Sequence, residues 1–209
     1  MKPAAKKLLI SVAANLVSPV LGLTWAVFAA STWFAWVRTH SVVALLLFAV
    51  NTLFALLFIV RRRSLAVTEN PRDWMITAAT ILLSFSLRVE PADNIAVRAV
   101  SQSLQGMGVV VILFSLVSLG RSFGLVPANR GIKTRSMYGL VRHPLYGGEI
   151  LFYLGFLVGN PMIPNAIVFA AIVVGLNLRA AAEERFLGKD AGYESYLQRV
   201  RFRFIPRVY

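Results

Sequence analysis

The side chains with chemistry to offer gather in the last third of the chain. Tyr138-Gly139-Leu140-Val141-Arg142-His143-Pro144-Leu145-Tyr146-Gly147-Gly148-Glu149 holds a guanidinium, an imidazole, two phenols and a carboxylate. Arg179, Glu183 and Glu184 follow. Arg and His suit a ligand carboxylate through charge-assisted hydrogen bonds. Glutamates suit an ammonium or a diol, and glycines let backbone come close to a ligand. Brought together against apolar walls, these groups make a small-molecule site. Composition narrows the alternatives. There is no cysteine, hence no disulfide, thiolate nucleophile or cysteine-held metal. Two histidines, His40 and His143, exclude a histidine-rich metal centre, and no metal ligand set is expected.

Other readings apply residue by residue. His143 binds a ligand or caps the helix beginning at Pro144. Arg142 and Arg179 have the alternative of snorkelling at a membrane edge. Glu183 and Glu184 point about 100° apart on a helix, so one carboxylate at least is expected at the site and the two are not expected to share one role. Glu149 either pairs with Arg142 or serves the site. Tyr193 and Tyr196 share a helix face and are expected to pack, with Tyr196 the one to reach the site.

The positioning elements read as membrane helices. The chain has 209 residues, 57% hydrophobic and 15% charged, where a soluble domain carries roughly 25% charged residues. Mean hydropathy is +0.68. Apolar runs cover Leu8 to Ala30, Ser41 to Val60, Trp74 to Leu87 and Ala99 to Gly120. The first is read as a retained helix rather than a signal peptide, because apolar character continues through Trp33, Phe34 and Trp36. Pro19 and Gly22 could kink it. Arg121 to Pro144 is polar and basic. Leu145 to Val158 and Met162 to Leu178 then form a hairpin about Gly159-Asn160-Pro161. At about 21 and 25 Å they are short for a full crossing. A hairpin returns the chain to the side it left, so the clusters before and after it can meet. The expected architecture is all-α, with about five to six transmembrane helices. Residues 1–120 form an N-terminal membrane region; residues 121–209 carry the hairpin (145–178) and a cytosolic tail.

The net charge of +13 suits nucleic acid only in a soluble protein. Here the basic residues flank the runs. With a cytosolic N-terminus and one crossing per run, every Lys and Arg except Arg38, Arg88 and Arg98 lies in the cytosol. Arg61, Arg62 and Arg63 read as a topology signal and a headgroup contact. Expected partners are therefore membrane lipids and not nucleic acid.

Arg142-His143-Pro144-Leu145-Tyr146-Gly147-Gly148, then Glu183-Glu184-Arg185-Phe186-Leu187, Tyr193-Glu194-Ser195-Tyr196 and Arg203-Phe204-Ile205-Pro206 form an ordered set. From about Gly120 to Pro206 the chain resembles the isoprenylcysteine carboxyl methyltransferase family, a group that includes phospholipid N-methyltransferases. The resemblance implies S-adenosylmethionine, held by Tyr138, Leu140, Arg142, His143, Tyr146, Gly147, Glu183, Glu184 and Tyr196, with the tail folded over it. It implies Arg179 and Glu184 at the reaction centre, and a lipophilic or membrane-partitioned acceptor entering from the bilayer. Tyr146-Gly147-Gly148-Glu149-Ile150-Leu151 also looks like a stretch of steroid and sterol reductases, so an NADPH-dependent reductase of a lipid double bond is the second reading. A non-catalytic scaffold or transporter is the third, although a transporter would show two related halves and no repeat is visible.

The absence of cysteine makes topology directly testable. Cysteine placed at Asp93 should react with an impermeant maleimide in intact cells, and cysteine at Ser195 only after permeabilisation.

Overall fold

In the computed structural model, residues 3–62, 64 and 66–208 are described, the side chains of 3–17 and 191 excepted. Lys2 and Arg63, counted among the cytosolic charges, lie outside the described residues. The chain is mostly helical. Helix α1 (Pro3–Thr39) and α2 (Val42–Val60) are joined at His40, whose φ of +49° turns the chain out of the helix. Helix α3 (Pro71–Ser84) starts where the Asn70 side chain accepts from the Arg72 amide, with Pro71 in the first turn. Helix α4 (Ile95–Leu119) starts at Asn94, which accepts from Ala96 N at 2.8 Å. A one-turn α5 (Met137–Leu140) precedes α6 (Pro144–Gly159), α7 (Ile163–Leu187) and α8 (Ala191–Arg199). Two-residue strands β1 (Ala66–Val67) and β2 (Ala128–Asn129) pair antiparallel, Ala66 opposite Asn129.

Among the described residues, four helical spans are long and apolar enough to cross a membrane: Ser18–Thr39, Val42–Val60, Ile95–Ser122 and Ile163–Leu187. The other two expected crossings are shorter. Helices α3 and α6 have 14 and 16 residues, about 21 and 24 Å against a hydrocarbon core of about 30 Å. Helix α7 runs nine residues past Leu178, where its apolar run was expected to end. Ala180 to Arg185 are strong helix formers, so polarity ends the apolar run without ending the helix.

Close packing sets the site's frame. Helices α4 and α6 form the tightest pair. A Cβ on Gly148 would sit 2.9 Å from the Gly108 carbonyl oxygen and 3.0 Å from the Ile112 amide nitrogen, so only glycine permits this crossing. Helix α1 packs on α2, α2 on α4, and α3 on α7. The hairpin turn is pinned from outside. Fully buried Asn165 accepts from Arg88 N and donates to Arg88 O, both at 2.9 Å, while Asn160 Oδ1 accepts from Glu90 N at 2.8 Å. Both helices of the hairpin thus approach the far end of the bundle in fixed register.

Gly148→Ala should force α4 and α6 apart at backbone. The expected cost is about 1–3 kcal/mol, read as a lower Tm in detergent with helical content retained.

Candidate active site

Three segments meet where α6 begins and α7 ends. The tail lies along the start of α6: Arg142 N donates to Phe202 O at 2.9 Å, and His143 N to Arg203 O at 2.8 Å. Gly147 permits that approach, because a Cβ there would stand 2.8 Å from the Phe204 carbonyl oxygen. Side chains finish the join on Glu184. Arg203 donates from Nε to Oε1 at 3.2 Å and from Nη2 to Oε2 at 2.6 Å. Arg142 Nε lies 3.2 Å from Oε1, and His143 Nε2 contacts the same oxygen at 3.1 Å. One carboxylate therefore gathers two guanidinium groups and an imidazole from both ends of the C-terminal region.

Glu183 faces the other way. It accepts a hydrogen bond from the Tyr146 hydroxyl and lies 3.6 Å from His143 Nδ1. His143 stacks parallel to Tyr146, with centroids 5.5 Å apart, and touches Phe204 edge-on. The imidazole thus contacts both glutamates, one at each nitrogen.

A pocket that carries ionisable side chains among aliphatic ones opens beside this cluster. Arg130, Tyr138, Arg142, His143, Tyr146 and Glu183 line it, and Tyr193 and Tyr196 close it from α8. It is narrow, about 110 Å³. Much of its lining comes from the strap 122–133, irregular apart from β2 and held by the β1 pairing and by Arg179 on Leu125 O. Buried Arg130 has no hydrogen-bond partner for Nε, and burial with the nearby Arg61 cation pulls its pKa down to about 10, Glu183 opposing. Burial pushes the Tyr138, Tyr193 and Tyr196 hydroxyls well above the ordinary phenol range. Tyr196 donates to Tyr138 O at 2.8 Å, tying α8 to α5.

Behind Tyr146 lies a second, larger cavity of about 490 Å³, walled by apolar side chains of α1, α2, α3, α4, α6 and α7. Gly124 and Leu145 line both cavities. Arg179 stands at their boundary. Its guanidinium lies over the Tyr146 ring at 4.8 Å, Nη2 donates to Leu125 O at 3.2 Å, and buried Nε has no partner.

Six of the residues expected at the cofactor line the narrower pocket: Tyr138, Arg142, His143, Tyr146, Glu183 and Tyr196. Glu184 holds that wall from behind. Leu140 is exposed and lines neither cavity, and Gly147 faces the tail. Arg179 makes no bond to Glu184, because five residues turn a helix about 140° beyond one full turn. Four residues bring Glu183 nearly onto the Arg179 face instead. Arg142 turns to Glu184 and not to Glu149, which lines the apolar cavity. His143 occupies the helix N-cap position without making a side-chain cap. Arg130 was not singled out from the sequence; within a stretch of scattered basic residues, nothing local marks the one that folds inward. No known family profile and no curated protein matches the chain.

Glu184→Gln should loosen the tail. Removing one partner of a buried ion pair costs about 3–5 kcal/mol. Partial exposure of these groups reduces that to about 2 kcal/mol, roughly thirtyfold in local opening. Hydrogen exchange at the Arg142 and His143 amides, which donate to the tail, should accelerate accordingly.

Proposed function

We propose that this protein is an integral membrane methyltransferase that uses S-adenosylmethionine to methylate a lipophilic or membrane-partitioned acceptor. The observation that carries the reading is that a pocket holding Arg130, Tyr138, His143 and Glu183 meets a larger apolar cavity at Gly124 and Leu145, with Tyr146 and Arg179 between them. A charged donor and a lipophilic acceptor need adjoining sites, one supplying ionisable groups and the other aliphatic and aromatic walls. The resemblance of residues 120–206 to isoprenylcysteine carboxyl methyltransferases supports the same reading, as does the count of basic residues, which favours a cytosolic N-terminus, catalytic segment and C-terminus.

The polar residues fit such a donor. Arg130 brings a buried Nε with no hydrogen-bond partner, suited to its carboxylate, whereas Arg142 Nε is paired with Glu184. Glu183 suits its ammonium or ribose diol. Admission of a nucleoside requires the strap 122–133 to yield, since the helices behind the pocket are close-packed. When bound, the sulfonium supplies an already activated methyl group. The chain then has to position the reactants, exclude water and, for a protonated acceptor, take up a proton. Tyr146 and Arg179 form the wall where the two reactants meet. Glu184 acts at one remove, by holding Arg142, His143 and the tail.

Titration calorimetry tests the donor assignment. S-adenosylhomocysteine should give saturable heat and NADPH none. His143→Ala and Glu183→Ala should each weaken binding roughly tenfold or more. Heat with NADPH alone favours a reductase, and silence with both favours a non-catalytic role.

A further inference from the structure

The tail continues past its join to α6, and its far side faces outward. Phe204 is buried in the core, and its carbonyl oxygen lies over Gly147. Gly147 shares a face of α6 with Leu151 and Leu154, four and seven residues on. Leu154 is exposed on that apolar helix, so in a bilayer this face meets lipid. Phe204 therefore stands where the lipid-facing stripe reaches the membrane surface. There the chain turns: Val208 N donates to Ile205 O at 3.2 Å, and Arg207 takes a left-handed φ of +66°. In that turn Ile205 is 52% exposed and Val208 74%. Charge follows the same pattern. After Glu194 the chain carries Arg199, Arg201, Arg203 and Arg207 and no Asp or Glu. Arg203 is committed to Glu184. Arg201 and Arg207 are exposed, and neither pairs with a carboxylate among the described residues. Exposed aliphatic side chains scattered singly over a surface are ordinary. These two sit beside a lipid-facing helix with arginines close by in the chain, the arrangement that holds a segment at a membrane interface.

We infer that residues 204–208 anchor the tail in the membrane interface, with Ile205 and Val208 in the outer hydrocarbon and Arg201 and Arg207 on anionic lipid headgroups. The anchor acts on the site through the clamp. The same segment carries Arg203 to Glu184, and its Phe202 and Arg203 carbonyls accept from the Arg142 and His143 amides. The tail cannot leave α6 without drawing two aliphatic side chains into water and parting two cations from an anionic surface. Anionic lipid thereby sets how often the clamp opens. The inference needs the membrane reading of the chain and does not depend on the donor assignment.

The test uses the full chain in nanodiscs of phosphatidylcholine, with and without phosphatidylglycerol. Because the chain has no cysteine, Val208→Cys gives a single site for a nitrobenzoxadiazole label, and Ser195→Cys on the exposed side of α8 gives the control. The label at 208 should be quenched by lipids brominated on the acyl chain and shielded from iodide, and the label at 195 should behave the opposite way. Hydrogen exchange at the Arg142 and His143 amides should be slower with phosphatidylglycerol than without it. Arg201→Gln combined with Arg207→Gln should abolish that difference, which two cations at an anionic surface set at about thirtyfold. Inorganic phosphate added to phosphatidylcholine nanodiscs should not reproduce the slowing. Iodide quenching at 208 without quenching by acyl bromine overturns the anchor. Exchange that ignores lipid charge, a lipid dependence that survives in the double variant, or slowing by free phosphate overturns the regulation by anionic lipid.

Discussion

The site depends on Glu184. Its two oxygens hold Arg203 from the tail and Arg142 and His143 from the start of α6. Among the described residues, Glu183 also reaches this join, but only at the imidazole, 3.6 Å from His143 Nδ1. Without the Glu184 charge, the tail and the loop before α6 would bring two guanidinium groups together unanswered. The two backbone hydrogen bonds between them would have to hold against that repulsion. With it, like charges become one clamp, and the narrower pocket gains a fixed wall.

That wall divides two environments. On one side, Arg130, the tyrosines and Glu183 line a narrow pocket beneath an irregular strap. On the other, aromatic and aliphatic side chains form most of the lining of a larger cavity. Arg179 and Tyr146 form the partition, the guanidinium lying on the ring face. The close α4–α6 crossing at Gly108 and Gly148 keeps this partition at one depth, since α6 cannot slide without a backbone clash.

Much of this was legible in the residue order. The His143-Pro144 start of α6, the turn at Asn160 and the pairing of the clusters on either side of the hairpin all follow from local chemistry and helical return. What was not legible depends on rotation and on contacts distant in sequence. The family resemblance implies Arg179 and Glu184 together at one centre, yet 3.6 residues per turn sets them on different faces and aligns Arg179 with Glu183. Leu140 lies in the right segment but points out of it. Arg130 is distinguished only by the strap folding over it, and of the two roles open to Glu149 the fold removes the pairing with Arg142 and sets the carboxylate in the apolar cavity. The end of α7 was missed because hydropathy, which marks lipid contact, was read as marking helix length.

The most direct measurement is a crystal structure grown from lipidic mesophase with S-adenosylhomocysteine bound. The account predicts the nucleoside in the narrower pocket, its thioether sulfur against the Tyr146–Arg179 partition and its carboxylate at Arg130, with His143 still on Glu184. Density for the nucleoside elsewhere, or His143 and Glu184 on opposite sides of the bundle, would contradict it.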